Sequence, residues 1–184
     1  MHLSHVGMTP TLPMSPRAPR VISPEEHRAL MSMFPTGVTV VTTTDEDGTP
    51  YGMTCSAMCS VTLAPPTLLV CLNTNGRTLA AIRASRYFGV NLLHGRAQPV
   101  AELFARSGLD RFAAVSWQPS DHLGMPWLVD DAFALAECRV VAVEVVGSHA
   151  VVFGEIVAHV MSPDVPLLYG LRRFVNWPEP APAR

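Results

Sequence analysis

Residues 52–78 read GMTCSAMCSVTLAPPTLLVCLNTNGRT, an uncharged hydroxyl-and-thiol patch, an apolar run, and a small polar loop with one arginine opening a helix. That order suits a flat, hydrogen-bonding ring held beside a phosphate tail. The apolar run gives a rigid wall, while Thr54, Ser56 and Ser60 offer hydroxyls without charge, as a neutral heteroaromatic ring requires. Asn73, Asn75, Arg77 and Thr78 stand where a phosphate would meet a helix start, and free backbone N–H groups there favour anions. Arg77 fits either a contact to phosphate or ribityl oxygens or an exposed solubilising role.

Other residues carry two readings each. His149, beside a Gly-Ser turn, suits a hydrogen bond to a carboxamide, a proton relay, or a turn position without a role. Asp110, Arg111 and Phe112 fit a lid over a ligand, or Asp110 caps a short helix. Tyr169 and Arg172 line a cleft, or Leu167, Leu168 and Tyr169 form a packed apolar tail. Trp117, Trp127 and Trp177 suit core or subunit contacts better than a cofactor box. No Ser-His-Asp order or paired carboxylates favour hydrolysis.

The elements that must position these groups are legible from periodicity and turn chemistry. Ser23-Pro24-Glu25-Glu26 is a helix start, with a hydroxyl cap, proline at the first helical position and acids in the first turn, for a helix reaching about residue 33. Residues 37–44 are rich in β-branched side chains, and Asp45-Glu46-Asp47-Gly48 turns the chain into a second extended run, giving a hairpin. Residues 67–73 form a third strand whose near-continuous apolar character predicts burial on both faces. A helix follows over 78–85, a strand over 87–93 and a short helix over 98–105. The extended runs 132–146 and 149–160 flank Gly147-Ser148 and predict a long hairpin. Strands joined mostly by hairpins, with a few inserted helices, argue for a mainly β, small antiparallel barrel.

Composition bounds the chemistry. The 184 residues fit one domain, expected over 23–178, between an extended arm at 1–22 containing Pro10, Pro13, Pro16 and Pro19 and a short tail at 179–184. A formal net charge of −2 and scattered arginines argue against nucleic-acid binding. The chain contains no lysine, which excludes a Schiff-base lysine. Cys55, Cys59, Cys71 and Cys138 lack metal-ligand spacing, so reduced thiols and no metal are expected. With no apolar leader and no run suited to span a bilayer, a cytoplasmic location without membrane contact is expected. No GxGxxG follows a strand, so a nicotinamide would have to share the ring-binding cleft.

Taken together, FPTGVTVVTT at 34–43, YGMTCSAMCSVTLAPPTLLVCLN at 51–73, NGRT at 75–78, FGVNLL at 88–93, LFA and DRF within 103–112, GSH at 147–149 and PLLY at 166–169 resemble the flavin reductase family. These are the small NAD(P)H-dependent reductases of two-component flavin monooxygenases. The resemblance implies a homodimeric FMN-binding split β-barrel with the flavin, FMN or FAD, near the subunit interface. It implies that a turn at Met53, Thr54, Cys55 and Ser56, together with Ser60 and Val61, lines the isoalloxazine. Cys71, Leu72, Asn73, Asn75, Arg77 and Thr78 would hold the ribityl chain and phosphate, and Phe104, Ala105 and Arg106 a further wall. His149 and Tyr169 would meet the nicotinamide of NADH or, less in keeping with the missing arginine cluster, NADPH, and His149 is the catalytic candidate by orienting that ring. The family often has alanine where Cys55 stands and a hydroxyl where Gly76 stands; an exposed Cys55 would invite oxidation. Two other readings share the barrel: a flavin- or haem-binding module without turnover, and a pyridoxamine-phosphate-oxidase-like flavoprotein, which would want more cations than Arg77 between residues 52 and 78.

Overall fold

The computed structural model describes residues 20–108 and 110–178, so most of the expected arm and the whole expected tail lie outside the described residues. Helix α1, Pro24–Ser32, begins at a capping box in which Ser23 Oγ accepts from the Glu26 N–H and the Glu26 carboxylate accepts from the Ser23 N–H. It buries none of its residues. Strands β1, Thr36–Gly37, and β2, Thr39–Thr44, follow, the chain leaving the ladder at Val38. The turn to β3, Pro50–Cys55, forms because Asp45 Oδ1 accepts from the N–H groups of Asp47 and Thr49 while Gly48 takes φ +79°. Then come β4, Met58–Leu63, and β5, Pro66–Asn73.

Helix α2, Arg77–Ser85, has no side-chain cap at Gly76, and packing holds it instead: Leu79 and Ile82 are fully buried. Strand β6, Tyr87–Leu93, leads to α3, Gln98–Ala105, and a single 3-10 turn at Phe112–Ala114. The short strands β7, Gln118–Pro119, and β8, Pro126–Trp127, precede the long hairpin of β9, Ala132–Val146, and β10, His149–Met161, which reverses at Gly147 with φ +56°. Strands β11, Leu167–Gly170, and β12, Arg173–Asn176, end the domain as a small hairpin that pairs with β1.

Seven strands form one antiparallel sheet in the order β3-β2-β6-β9-β10-β5-β4. Its two outermost strands, β3 and β4, are consecutive in sequence and joined only by Ser56 and Ala57, so the sheet curls until its edges approach. Across that joint the Cys71 N–H donates to the Ala57 carbonyl at 3.0 Å, and the Cys55 thiol lies 3.6 Å from the same carbonyl. The result is an antiparallel barrel, as the turn pattern predicts, and a split one, as the family resemblance implies.

Two cores result from the pleat of β2. Val41 faces a cluster with Leu72, Leu79, Phe88, Cys138 and Val152, whereas Val40 faces a second cluster with Ala101, Phe104, Phe112 and Leu128. The strand buried on both faces is therefore β2; β5 instead alternates, with Leu68, Val70 and Leu72 inside and Leu69 and Cys71 half-buried. The 115–131 loop is pinned by buried polar groups. Asn91 donates to the Pro126 carbonyl and accepts from the Leu128 N–H, and Glu137 accepts from Ser120 Oγ and the Leu123 N–H, both at 2.7 Å. Among the described residues no helix is long and apolar enough to cross a membrane.

Candidate functional site

A cavity of about 420 Å³ opens beside the split, lined by Val38, Thr54, Ser56, Glu102, Ala105, Arg106, Tyr169 and Phe174. Its size suits a ligand-sized guest. Each wall comes from a different element: the end of β3 and its joint, the last turn of α3, and the β11–β12 hairpin. Tyr169 and Phe174 are cross-strand partners with ring centroids 5.0 Å apart, and together they form an aromatic wall facing the hydroxyls of Thr54 and Ser56. Thr54 Oγ1 donates to the Ala101 carbonyl at 2.6 Å, which ties β3 to α3 and leaves this oxygen free to accept only.

A second group of the expected residues gathers at the end of β5. His149 pairs with Asn73 across the β5–β10 ladder, the Thr74 N–H and hydroxyl both reach the Ser148 carbonyl, and the Asn75 N–H donates to Asn73 Oδ1. His149 is exposed, with Nδ1 3.0 Å from Ser148 Oγ. The first N–H groups of α2 face this loop's end, since Gly76 supplies no capping side chain. A Cβ at Gly76 would meet the Asn73 carbonyl at 3.1 Å, a tight approach that glycine relieves.

Arg77 is exposed, with its guanidinium carbon 5.2 Å from the centroid of the Tyr51 ring, a cation–π contact. Arg111 reaches the Gly52 carbonyl at 2.5 Å and also bonds the Arg106 carbonyl, while its Nε is buried without a partner. Burial, and secondarily the charge of Arg77, pull the Arg111 pKa below its ordinary value. Among the described residues neither arginine pairs with a carboxylate. Two unpaired like charges beside a helix start form a setting in which a phosphate relieves repulsion.

The structure corrects several expectations about side chains. Met53, Thr54 and Cys55 lie in a strand, with only Ser56 beyond its end, so the expected turn over 53–56 is the end of β3. The Cys55 thiol is buried and its pKa raised by burial, which opposes the oxidation an exposed thiol would invite. Leu72, Thr78 and Phe104 are also buried; Phe104 packs edge-on to Phe112 with centroids 5.1 Å apart, so Ala105 and Arg106 alone of that trio line the cavity. Ser60 and Val61 sit on β4, every residue of which is exposed, outside the cavity lining. Tyr169 lines the cavity while His149 does not.

Sequence reasoning missed Val38, Glu102 and Phe174. Glu102 is one turn before the Ala105–Arg106 pair and could have been found from helical spacing. Phe174 faces Tyr169 only because Leu171 and Arg172 both take positive φ, 50° and 59°, and neither is a residue type that announces such a turn.

Residues 31–178 match the family described as flavin reductase like domain. The chain belongs to the flavin reductase family. Within it, the chain is similar to the flavin reductase (NADPH) of Lentzea aerocolonigenes, 55% identical over 156 residues that span 85% of this chain and 91% of the relative. It is also similar to the HsaB reductase subunit of a flavin-dependent monooxygenase from Mycobacterium tuberculosis, 36% identical over 80% of this chain and 79% of that protein. Among solved structures, the NADH:FAD oxidoreductase SgcE6 of Streptomyces globisporus, in complex with NAD and FAD fragments, superposes with a TM-score of 0.80 at 29% identity, over 89% of this chain and 99% of the other. A flavin reductase built on this split barrel agrees with the donor set, since uncharged hydroxyls and aromatic walls suit a neutral ring and two guanidiniums without a carboxylate partner among the described residues suit its phosphate.

Proposed function

We propose that this protein is an NAD(P)H:flavin oxidoreductase that reduces FMN or FAD and releases the reduced flavin to a partner flavin-dependent monooxygenase. The observation that carries the reading is the cavity at the barrel's split, where Thr54, Ser56, Arg106 and Tyr169 converge in a chain that belongs to the flavin reductases. A bound flavin supplies the hydride acceptor and a bound nicotinamide the hydride. The protein's part is orientation and electrostatics.

Thr54 accepts a hydrogen bond from a ring N–H, because its own proton is spent on Ala101. Ser56, exposed at the joint, donates to or accepts from the ring edge. Tyr169, with Phe174 beside it, would offer an aromatic face to the nicotinamide. Asn73, Asn75, Arg77 and the free N–H groups of α2 would hold the ribityl and phosphate oxygens together with backbone groups of Cys71, Leu72 and Thr78, while backbone groups of Met53 and Cys55 would line the isoalloxazine. His149 orients the nicotinamide carboxamide, with its ring held by Ser148 Oγ.

A homodimer belongs to this reading. β4 leaves Val61 and Leu63 in solvent, and α1 leaves Leu30 and Met31 exposed, an apolar surface that a second copy would cover. Ser60 and Val61 would then meet the flavin from the interface side. A cytoplasmic setting, where nicotinamide nucleotides and an oxygenase partner are at hand, fits as well.

The test is anaerobic mixing of the purified protein with FMN or FAD and with NADH or NADPH, followed by the loss of yellow flavin absorbance. Rapid bleaching in at least one pairing is expected. Flavin that stays yellow in all four pairings overturns the proposal and leaves a binding module.

A further inference from the structure

Tyr51 and Asp45 lie outside every site residue expected from the sequence, yet they form a chain that ends on Arg77. The Asp45 carboxylate is fixed first: Oδ1 accepts from the Thr49 N–H at 2.8 Å and the Asp47 N–H at 3.1 Å, inside the β2–β3 turn. Its other oxygen accepts from the Tyr51 hydroxyl at 3.1 Å, which fixes the phenol. The Tyr51 ring then carries the Arg77 guanidinium 5.2 Å from its centroid. The three residues line one shallow pocket of about 190 Å³ with Ala80 and Ala81 of α2. No carboxylate competes for Arg77 among the described residues, and Arg111, pinned by the Gly52 and Arg106 carbonyls, is close enough for the two charges to act on each other.

We propose that Tyr51, itself held by Asp45, is a positioning residue that fixes Arg77 beside Arg111, so that two guanidiniums act together on the phosphate group of a flavin nucleotide. The inference rests on the flavin reductase reading and names how that site selects phosphorylated over phosphate-free flavin. An arginine free on the surface must surrender its rotamer freedom on binding; one laid on an aromatic ring has already done so. The aromatic face attracts a guanidinium without neutralising it, unlike a carboxylate, so the full charge stays available to the anion. The turn at residues 45–49 therefore serves binding as well as hairpin closure. Asp45 remains ionised and able to hold the phenol: loss of hydration acts to raise its pKa, but the bonds from Thr49, Tyr51 and Asp47 outweigh it and hold the carboxyl below its ordinary range.

The experiment measures dissociation constants of FMN and of riboflavin, the same ring without phosphate, for the full-length protein and for Y51L, Y51Q, Y51F and D45N. Y51L weakens FMN roughly three- to thirtyfold and changes riboflavin by less than about twofold, while Y51F, which keeps the ring, weakens FMN by less. Equal loss of both flavins would make Tyr51 a plain wall residue, and unchanged FMN affinity would make the ring irrelevant to Arg77; either result overturns the inference. If Y51L fails to fold, the same criterion is applied to Y51Q. Wild-type protein that binds and reduces flavin while Y51L keeps the wild-type preference for FMN over riboflavin sinks this inference alone, whereas wild-type protein inert towards every flavin sinks the functional reading with it.

Discussion

Thr54 donates its hydroxyl proton to the Ala101 carbonyl at 2.6 Å, and this bond joins a strand of the barrel to the helix that forms the adjoining wall of the cavity. A residue expected from sequence to serve only a ligand thus also holds its own site together. Thr54→Val keeps the shape and removes the bond. It should lower stability by about 1 kcal/mol, seen as a thermal midpoint about 2–4 °C lower. An unchanged midpoint would mean that α3 is held by packing alone.

Gly52 tests the same wall from the other side. A Cβ there would sit 2.8 Å from Phe104 Cε1 and 3.2 Å from Phe112 Cζ, against rings that are both buried. Gly52→Ala should destabilise by about 1–3 kcal/mol through overpacking. Gly37→Ala, where nothing lies within 4 Å, is the matched control and should be near neutral in the same denaturant titration.

Cys138 sets an alkaline dependence. Its thiol is pushed up to about 12 from 9.0 by burial, with the neighbouring Glu137 charge adding to the effect. The unfolded chain releases this proton near the ordinary value while the folded chain holds it, so the unfolded state binds fewer protons and stability falls as pH rises from about 9 towards about 12. The slope from this group is at most about 1.4 kcal/mol per pH unit. Urea midpoints of wild type and Cys138→Ala, compared across this window, should converge as pH rises; parallel curves would contradict the assignment.

His149 stands exposed at the β5–β10 ladder end, opposite Asn73, and its proposed contact is with the nicotinamide. His149→Ala should raise the KM for the nicotinamide about three- to tenfold and leave kcat within about twofold, as loss of uniform binding does. If KM and kcat both stay at their wild-type values, the nicotinamide role is wrong.

What could be read from the sequence was local chemistry. The Ser23 capping box, the Asp45–Gly48 turn, the Gly147-Ser148 reversal and the run 98–105 each contain their own cause within a few residues, and each is found where it was expected. Tyr169 and Arg106 were legible as candidates, but their meeting was not. It depends on a hairpin turned by Leu171 and Arg172 at positive φ and on β1 pairing with β11 across more than a hundred residues. The burial of Cys55, Leu72 and Phe104 was hidden for a different reason. Apolar and thiol side chains look alike on either face of a strand or helix until the partner surfaces are known, and here the pleat of β2 divides them between two cores. Tyr51 on Arg77 was out of reach because a cation over a ring leaves no spacing rule in sequence.

The joint at Ser56 and Ala57 has a consequence for the life of the protein in a cell. The Cys71 N–H to Ala57 carbonyl bond carries the β4–β5 ladder one step into the joint, next to the residues Thr54 and Ser56 that line the cavity. A ligand seated there braces the end of β3 and the joint against α3 and the β11–β12 hairpin, so occupancy and survival against proteolysis become linked quantities. Flavin supply would then govern how much of this protein persists as well as how fast it works.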